Sequence, residues 1–311
     1  MTNAIIPAPS SITLGTSGLG RDAHAGTEGH RRAVELAVAM LRSPHTLLDT
    51  ANEYDGGRSE EVIGLAMREV GIAGPAPVVT KVDRDLGSGV FDRDRVLRSY
   101  DESLARLGVD RVSLVHLHDP FTISFEEAAA PGGAIEGLIE LRDSGAVDSI
   151  GVAAGPLPMV RPYVETGLFD AILVHNRLTL VDQSAADLFA AARERGMTVF
   201  NAAPFGAGLL AKGSASGARY GYHETTPELR DWVASAEQAC SARGVDLKAA
   251  ALQFSLNSPL VHSTVVSASS PERLTQLAAL VSASIPAELW DDLAALGPAP
   301  SNLDDDRPEA R

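Results

Sequence analysis

Four polar residues at separated positions define the chemistry open to this chain: Asp49, Tyr54, Lys81 and His118. Asp49 and Tyr54 fall in LLDTANEYDGGRSEEVIG (47–64), Lys81 in the short apolar run VVTKV (78–82), and His118 closes VSLVHLH (112–118) just before Asp119-Pro120. A tyrosine that trades a proton with a carbonyl or hydroxyl oxygen starts from a phenol pKa near 10, about three units too high for work at neutral pH. An ammonium beside the phenol favours the phenolate. At about 1.36 kcal/mol per unit, closing the gap takes roughly 4 kcal/mol. Lys81 is the candidate for that ammonium, and Asp49 for the counter-charge that keeps an inward-facing lysine protonated. A histidine suits the task of orienting and polarising the reacting oxygen. Alternation along a strand sends His116 and His118 to the same side, but only His118 stands at the carboxyl end of its run. Together the four residues point to redox chemistry on a carbonyl or hydroxyl carbon.

Such groups must be delivered by the ends of strands, and the sequence supplies a rhythm that does so. Short apolar runs of β type alternate with longer helical patterns: ITLGTSGLG and then 30–41, LLDTA and 60–70, VVTKV and 93–107, VSLVHLH and 134–143. The alternation continues with IGVAAG and 157–166, AILVHN and 184–195, TVFNAA and 226–243, and STVVSAS and 271–281. Eight pairs without a break in composition predict one α/β domain over residues 1–311, a (β/α)₈ TIM barrel and not an open sheet. In that architecture the carboxyl ends of the strands build the active site, which is where all four groups fall. Two further helical patterns, 246–256 and 287–295, are expected as additional helices toward the C-terminus. The acidic, proline-containing segment 297–311 reads as a mobile tail.

The bulk properties exclude several classes. A formal net charge of -15 over 311 residues argues against nucleic acid, which needs a basic surface to replace counterions. Apolar residues make up 45% of the chain, yet no uninterrupted apolar run approaches the roughly 18–20 residues of a membrane span. MTNAIIPAPSS lacks the basic segment, apolar core and cleavage site of a secretory leader, and a lone cysteine, Cys240, gives no disulfide framework. A cytoplasmic location is the expectation. No metal is expected, because HExxH, paired cysteines and clustered carboxylates with histidines are all missing.

Glycine-rich turns are candidates for contact with an anionic cofactor. GTSGLG (15–20) has neither the dinucleotide fingerprint spacing nor the lysine-serine ending of a phosphate loop. FGAGLLAKG (205–213) is the better phosphate candidate, since its glycines permit close backbone approach and Lys212 adds positive charge.

With these residues in view, the chain resembles the aldo-keto reductase superfamily. The resemblance is carried by DTANEYDGGRSEEVIG, VVTKV, LVHLHDP, DSGAVDSIGV (143–152), VFNAAPFGAGLL (199–210) and SSPERL (269–274), in the family's order and at similar spacing over about residues 12–290. NAAPF and the preceding NRLTLVDQ (176–183) look more like the aldose and L-fucose dehydrogenases and the related pyridoxal dehydrogenases than like aldose reductases. The resemblance implies an NAD(P)-dependent oxidoreductase with Tyr54 as general acid/base, Asp49 and Lys81 as its tuning pair and His118 as the substrate-orienting histidine. The implied partner is a small sugar or aldehyde, and the expected reaction is oxidation of an aldose at C1 to a lactone. Aldehyde, ketone or pyridoxal reduction on the same fold is the alternative, and a slow-turnover, cofactor-sensing regulatory subunit is a rival of a different class.

By the same resemblance Gly15 and Thr16 line the nicotinamide, and Gly206, Gly208, Leu209 and Lys212 hold the pyrophosphate. Ser269, Ser270 and Arg273 hold the adenosine end. Family members that prefer NADP commonly carry a lysine at the position of Ser267 and Glu-Asn at Gln276-Leu277, so the choice between NAD and NADP leans narrowly to NAD. The Ser-Asn pair that usually grips the carboxamide is Ala153-Ala154 here, and Asn176, where a glutamine is usual, is the remaining amide contact.

Overall fold

The computed structural model describes residues 12–45, 47–72, 75–301, 303 and 305. Its centre is a closed barrel of eight parallel strands hydrogen-bonded in chain order: β1 (Ile12–Gly15), β2 (Leu48–Asp49), β3 (Val78–Val82), β4 (Leu114–His118), β5 (Ser149–Ala154), β6 (Ala171–His175), β7 (Thr198–Ala202) and β8 (Ser263–Ser267). Ile12 to Gly15 pair with Thr264 to Ser267, so β8 returns to β1 and no sheet edge is left open. The (β/α)₈ expectation holds.

Around the strands lie α1 (Glu28–Leu41), α2 (Arg58–Val70), α3 (Arg93–Leu107), the short α4 (Phe125–Ala129), α5 (Ala134–Asp143), α6 (Leu157–Glu165) and α7 (Ala186–Glu194). They are followed by the single-turn α8 (Leu209–Lys212), then α9 (Pro227–Ala242), α10 (Leu247–Leu256), α11 (Pro271–Ser282) and α12 (Ala287–Ala295). Side-chain oxygens open several of these helices by accepting from orphan backbone N–H groups. Thr27 does so for α1, Asp92 for α3, Thr226 for α9, Asp246 for α10 and Ser270 for α11.

Strand alternation divides the core in two. Leu47, Val79, Leu114, Ala153, Leu173, Phe200 and Val265 fill the barrel's interior, while residues such as Ile12, Val78, Val115, Ile150 and Val199 pack outward against the helices. A third cluster, with Leu229, Val233, Cys240, Leu247, Leu289 and Leu293, joins α9, α10 and α12. The helix that closes the seventh βα unit differs from the sequence expectation. Ser255 of α10 bonds both Asn201 of β7 and Thr264 of β8, at 2.7 Å each, so α10 belongs to the barrel layer. It is α9, the more amphipathic of the two, that is the additional helix and packs with α12. Periodicity shows that a helix has an apolar face, not which surface that face covers.

The segment expected as a mobile tail makes contacts at its described residues. Ser301 donates to Asp182 at 2.5 Å, Asp305 is ion-paired to the buried Arg177, and Leu303 packs over Gly221. Residues 302, 304 and 306–311 lie outside the described residues, as do the eleven N-terminal residues on which the secretion reading rests. Among the described residues no helix is long and apolar enough to cross a membrane, and no group of three His, Cys, Asp or Glu residues is arranged to hold a metal ion.

Candidate active site

Asp49 ends β2, Lys81 lies in the last turn of pleat of β3 and His118 ends β4, so three neighbouring strands present their polar ends at one rim. Tyr54 is carried there by the loop after β2. Its course is fixed by Thr50 N–H to Val79 O at 2.9 Å and Asn52 N–H to Lys81 O at 3.1 Å, which extend the β2–β3 ladder past the last strand residue. Beyond Tyr54, Asp55, Gly56 and Gly57 are all left-handed, with φ of 54°, 68° and 87°, and this turns the chain sharply into α2. Gly57 is required there twice over, because a Cβ would also stand 2.8 Å from the Arg106 side chain.

Lys81 is fully buried and its ammonium donates three hydrogen bonds: to Asp49 Oδ2 at 2.9 Å, to the Thr50 carbonyl at 2.7 Å and to the Tyr54 hydroxyl oxygen at 2.9 Å. Three donors meet three acceptors. Burial works to strip the Lys81 proton, but the Asp49 carboxylate and the Tyr54 oxygen more than offset it and hold its pKa above the ordinary 10.5. Burial also pushes the Asp49 carboxyl up, a tendency opposed by the ammonium at 2.9 Å. The ion pair is therefore the state this geometry favours, and it places a fixed positive charge against the phenol.

His118 meets Tyr54 edge to face, with ring centroids 5.5 Å apart, and the Lys81 ammonium lies 4.5 Å from the centre of the same Tyr54 ring. His116 is different. It points into the barrel beneath, with its ring 5.9 Å from Phe200, and burial depresses its pKa well below 6.5, leaving it neutral. Its register neighbour is Gly151, where a Cβ would come within 2.2 Å of His116 Nδ1. Burial also lowers His175, at the end of β6, to about 3. Asp83 was not singled out from the sequence, although it follows Lys81 by two positions and so shares its side of the chain. Asp83 Oδ1 lies 2.7 Å from His118 Nδ1.

The candidate cofactor residues are spread over the ends of four consecutive strands, β6, β7, β8 and β1. Gly15, which ends β1, and Thr16 after it share a cavity of about 570 Å³ with Ser267, Ser269, Arg21 and Arg32. Thr16 is anchored to β2 by its hydroxyl, which donates to Asp49 O at 2.9 Å. Gly206, Gly208, Leu209 and Lys212 follow β7 and do not line that cavity; Lys212 is exposed and Leu209 is buried. Ser270 has a local duty as N-cap of α11, accepting from the Arg273 N–H, and the Arg273 side chain is exposed. Asn176 is fully buried with φ of 62°; its amide nitrogen lies 3.0 Å from His175 Nδ1, and its Oδ1 has no hydrogen-bond partner among the described residues. That orphaned acceptor at the mouth of β6 fits the amide N–H₂ of a nicotinamide. Trp232 donates to Gly297 O and lines a separate cavity of about 630 Å³ with Trp290, Phe254 and Leu180.

Gly206 is the most demanding of these positions. Its φ is 57°, and a Cβ would lie 2.2 Å from the ring of Tyr220, which is wholly buried and donates its hydroxyl to Asn176 O at 2.9 Å. Gly206→Ala is expected to destabilise the fold by about 2–4 kcal/mol, combining backbone strain with overpacking. The measurement is the denaturation midpoint, and an unchanged midpoint would show that the loop relaxes freely.

A closed eight-stranded barrel with a buried lysine joining a carboxylate and a phenol at its carboxyl rim, beside an imidazole, defines a class: barrel proteins equipped for proton exchange with an oxygen substrate. The family model for the Aldo/keto reductase family matches residues 11–297, and the chain belongs to that family. It is 36% identical to the D-threo-aldose 1-dehydrogenase of a Pseudomonas species over 206 residues, covering 66% of this chain and 62% of that enzyme. It is 30% identical to the pyridoxal 4-dehydrogenase of Microbacterium luteolum over 284 residues, covering 80% of this chain and 83% of that enzyme. Among solved structures, an aldo-keto reductase of Bacillus halodurans in its holo form superposes with a TM-score of 0.75 at 21% identity, covering 93% of each chain.

Proposed function

We propose that the protein is an NAD(P)-dependent oxidoreductase that acts on a small polar carbonyl or hydroxyl compound, with oxidation of an aldose at C1 to a lactone as its reaction. The observation that carries this reading is the buried Lys81 ammonium, shared at 2.9 Å by Asp49 and Tyr54 at the rim where His118 stands. The preference for an aldose is supported by the D-threo-aldose 1-dehydrogenase relative, and pyridoxal is the substrate class favoured by the second. When bound, the nicotinamide supplies or accepts the hydride. In oxidation Tyr54, as phenolate, takes the hydroxyl proton; in reduction the phenol returns it. Lys81 stabilises the phenolate, Asp49 keeps Lys81 charged, and His118 aligns the reacting oxygen.

For the cofactor, Asn176 Oδ1 would accept from the carboxamide, Gly15 and Thr16 would lie along the nicotinamide ribose, and the Gly206–Lys212 loop would meet the pyrophosphate. Ser269 and Arg273 would stand at the adenosine end, with Ser270 capping the helix that presents them. NAD is the proposed partner, because Ser267 leaves Arg273 as the cation of this loop for a 2′-phosphate. Arg273→Ala is expected to weaken NADP about tenfold or more while changing NAD little, since a charge-assisted hydrogen bond is worth about 1.5–3 kcal/mol. Titration with both reduced cofactors measures this, and equal losses would remove Arg273 from the 2′ position. A cytoplasmic setting is part of the same reading, supported by a single cysteine that is buried, with its thiol pushed up to about 11 by that burial.

The deciding experiment is absorbance at the reduced-nicotinamide band across aldoses, pyridoxal and small aldehydes with NAD and NADP. Turnover of an aldose fits the proposal. Tight cofactor binding without turnover of any compound would replace it with the cofactor-sensing role.

A further inference from the structure

Asp83 stands immediately after β3, two residues beyond Lys81, and completes a second polar pair at the rim. Its Oδ1 lies 2.7 Å from His118 Nδ1, and both side chains are almost fully buried. The carboxylate is itself held: Oδ2 accepts from the Glu53 N–H at 2.9 Å. The Asp83 backbone is held as well, with its N–H donating to Ser99 Oγ at 2.9 Å and its carbonyl accepting from Arg95 Nε at 2.8 Å. A carboxylate can only accept, so a hydrogen bond of this length puts the ring proton on Nδ1. The other ring nitrogen, Nε2, lies 3.4 Å from Asp119 Oδ2; with Nδ1 held by Asp83, it is the nitrogen that the proposed orienting role requires.

We propose that Asp83 is a positioning residue that locks His118 as the Nδ1–H tautomer, so that Nε2 is an acceptor in the neutral ring and a donor only after the ring takes up a second proton. The inference rests on the oxidoreductase reading and deepens it. A carbonyl oxygen needs donors. In this site it would bind well only when Tyr54 is a phenol and His118 carries both protons. A hydroxyl brings its own proton, which the neutral ring at Nε2 or the Tyr54 phenolate can accept. The proton balance is therefore kept within the Tyr54–His118 pair, and carbonyl binding is favoured at lower pH than hydroxyl binding. Other titratable groups surround His118: Tyr54 edge to face with it, His116 on β4, Asp119 after that strand and His175 on β6, with the Lys81–Asp49 ion pair on the far side of Tyr54's hydroxyl. The carboxylate at hydrogen-bond distance from Nδ1 is that of Asp83.

The test is nitrogen NMR of the full chain labelled at histidine, with His118→Gln used to identify the signal. In the neutral ring the wild-type protein is expected to carry its proton on Nδ1. In Asp83→Asn, whose amide can donate to Nδ1, the proton is expected to move to Nε2. A wild-type ring protonated on Nε2 overturns the proposal, and this needs no variant to fold. Kinetics give the second readout, with glyceraldehyde as probe. In the wild type its KM should rise about tenfold per pH unit above the ring's titration, whereas in Asp83→Asn it should not vary with pH. Matching profiles in the two proteins also overturn the proposal. An Nδ1–H ring in a protein that turns over neither aldose nor aldehyde would count against the proposed function while leaving the tautomer assigned to Asp83.

Discussion

Tyr54→Phe is expected to lower kcat by about 10²–10⁴-fold, the span ordinarily lost with a positioned general acid or base. The substitution removes one oxygen. That oxygen accepts the Lys81 hydrogen bond at 2.9 Å and is the atom proposed to exchange a proton with substrate. The ring itself is half-buried beside His118, and phenylalanine keeps its shape, so the fold and the cofactor loops after β1, β7 and β8 should be undisturbed. Cofactor affinity, read by quenching of tryptophan fluorescence, should therefore stay near the wild-type value while single-turnover hydride transfer collapses. Lys81 keeps two acceptors in the variant, Asp49 and the Thr50 carbonyl, and so remains charged and paired. A variant that turns over at a near-normal rate would show that the proton travels by another route.

Lys81→Met is expected to cost both activity and stability, and the two losses have separate causes. Activity falls because the phenolate loses its ammonium; supplying roughly 4 kcal/mol of stabilisation is worth about 10³-fold in rate. Stability falls because Asp49, buried to 4% exposure, is left without its counter-charge, and breaking a buried pair on one side costs about 3–5 kcal/mol. Pairing Lys81→Met with Asp49→Asn should restore most of the stability and none of the activity, because the orphaned charge is gone but the phenol is still untuned. Denaturant unfolding and kcat on the three variants separate the effects, and recovery of both together would mean that Lys81 serves only as a structural ion. The pH dependence follows from the sign of the shift. The folded-state pKa of Lys81 is raised above 10.5, so its contribution to stability is complete below that value and is lost only as the pH climbs through the higher folded value. Neutral and mildly alkaline solution should leave the pair intact.

Much of this site was legible before any coordinates. Asp49, Tyr54, Lys81 and His118 were found because each lies where an apolar run gives way to turn residues, and chain chemistry alone says that a phenol needs an ammonium, and a buried ammonium a carboxylate. Asp83 carries the same positional signal as Lys81, but an aspartate before an arginine also reads as the first residue of a solvated loop. Its burial, and its approach to a histidine 35 residues away, depend on β3 and β4 lying side by side in register. The tail told the same story in reverse. Its acidic, proline-containing composition suggested a segment with nothing to hold it, and the partner of Asp305 is Arg177, 128 residues earlier in the chain.

The amino-acid sequence by itself determined the eight βα units, the strand-end placement of the catalytic candidates and the absence of an overall charge suited to nucleic acid, because strand alternation, helical periodicity and charge are local or additive properties. Only the tertiary structure decided that β8 closes on β1, that α10 and not α9 belongs to the barrel layer, that Trp232 lines a separate cavity, and that one carboxylate fixes Lys81 while a second fixes His118. Each of these is a choice among surfaces and partners that local pattern leaves equivalent. They are separated by burial and by hydrogen-bond geometry, which exist only once distant strands are side by side.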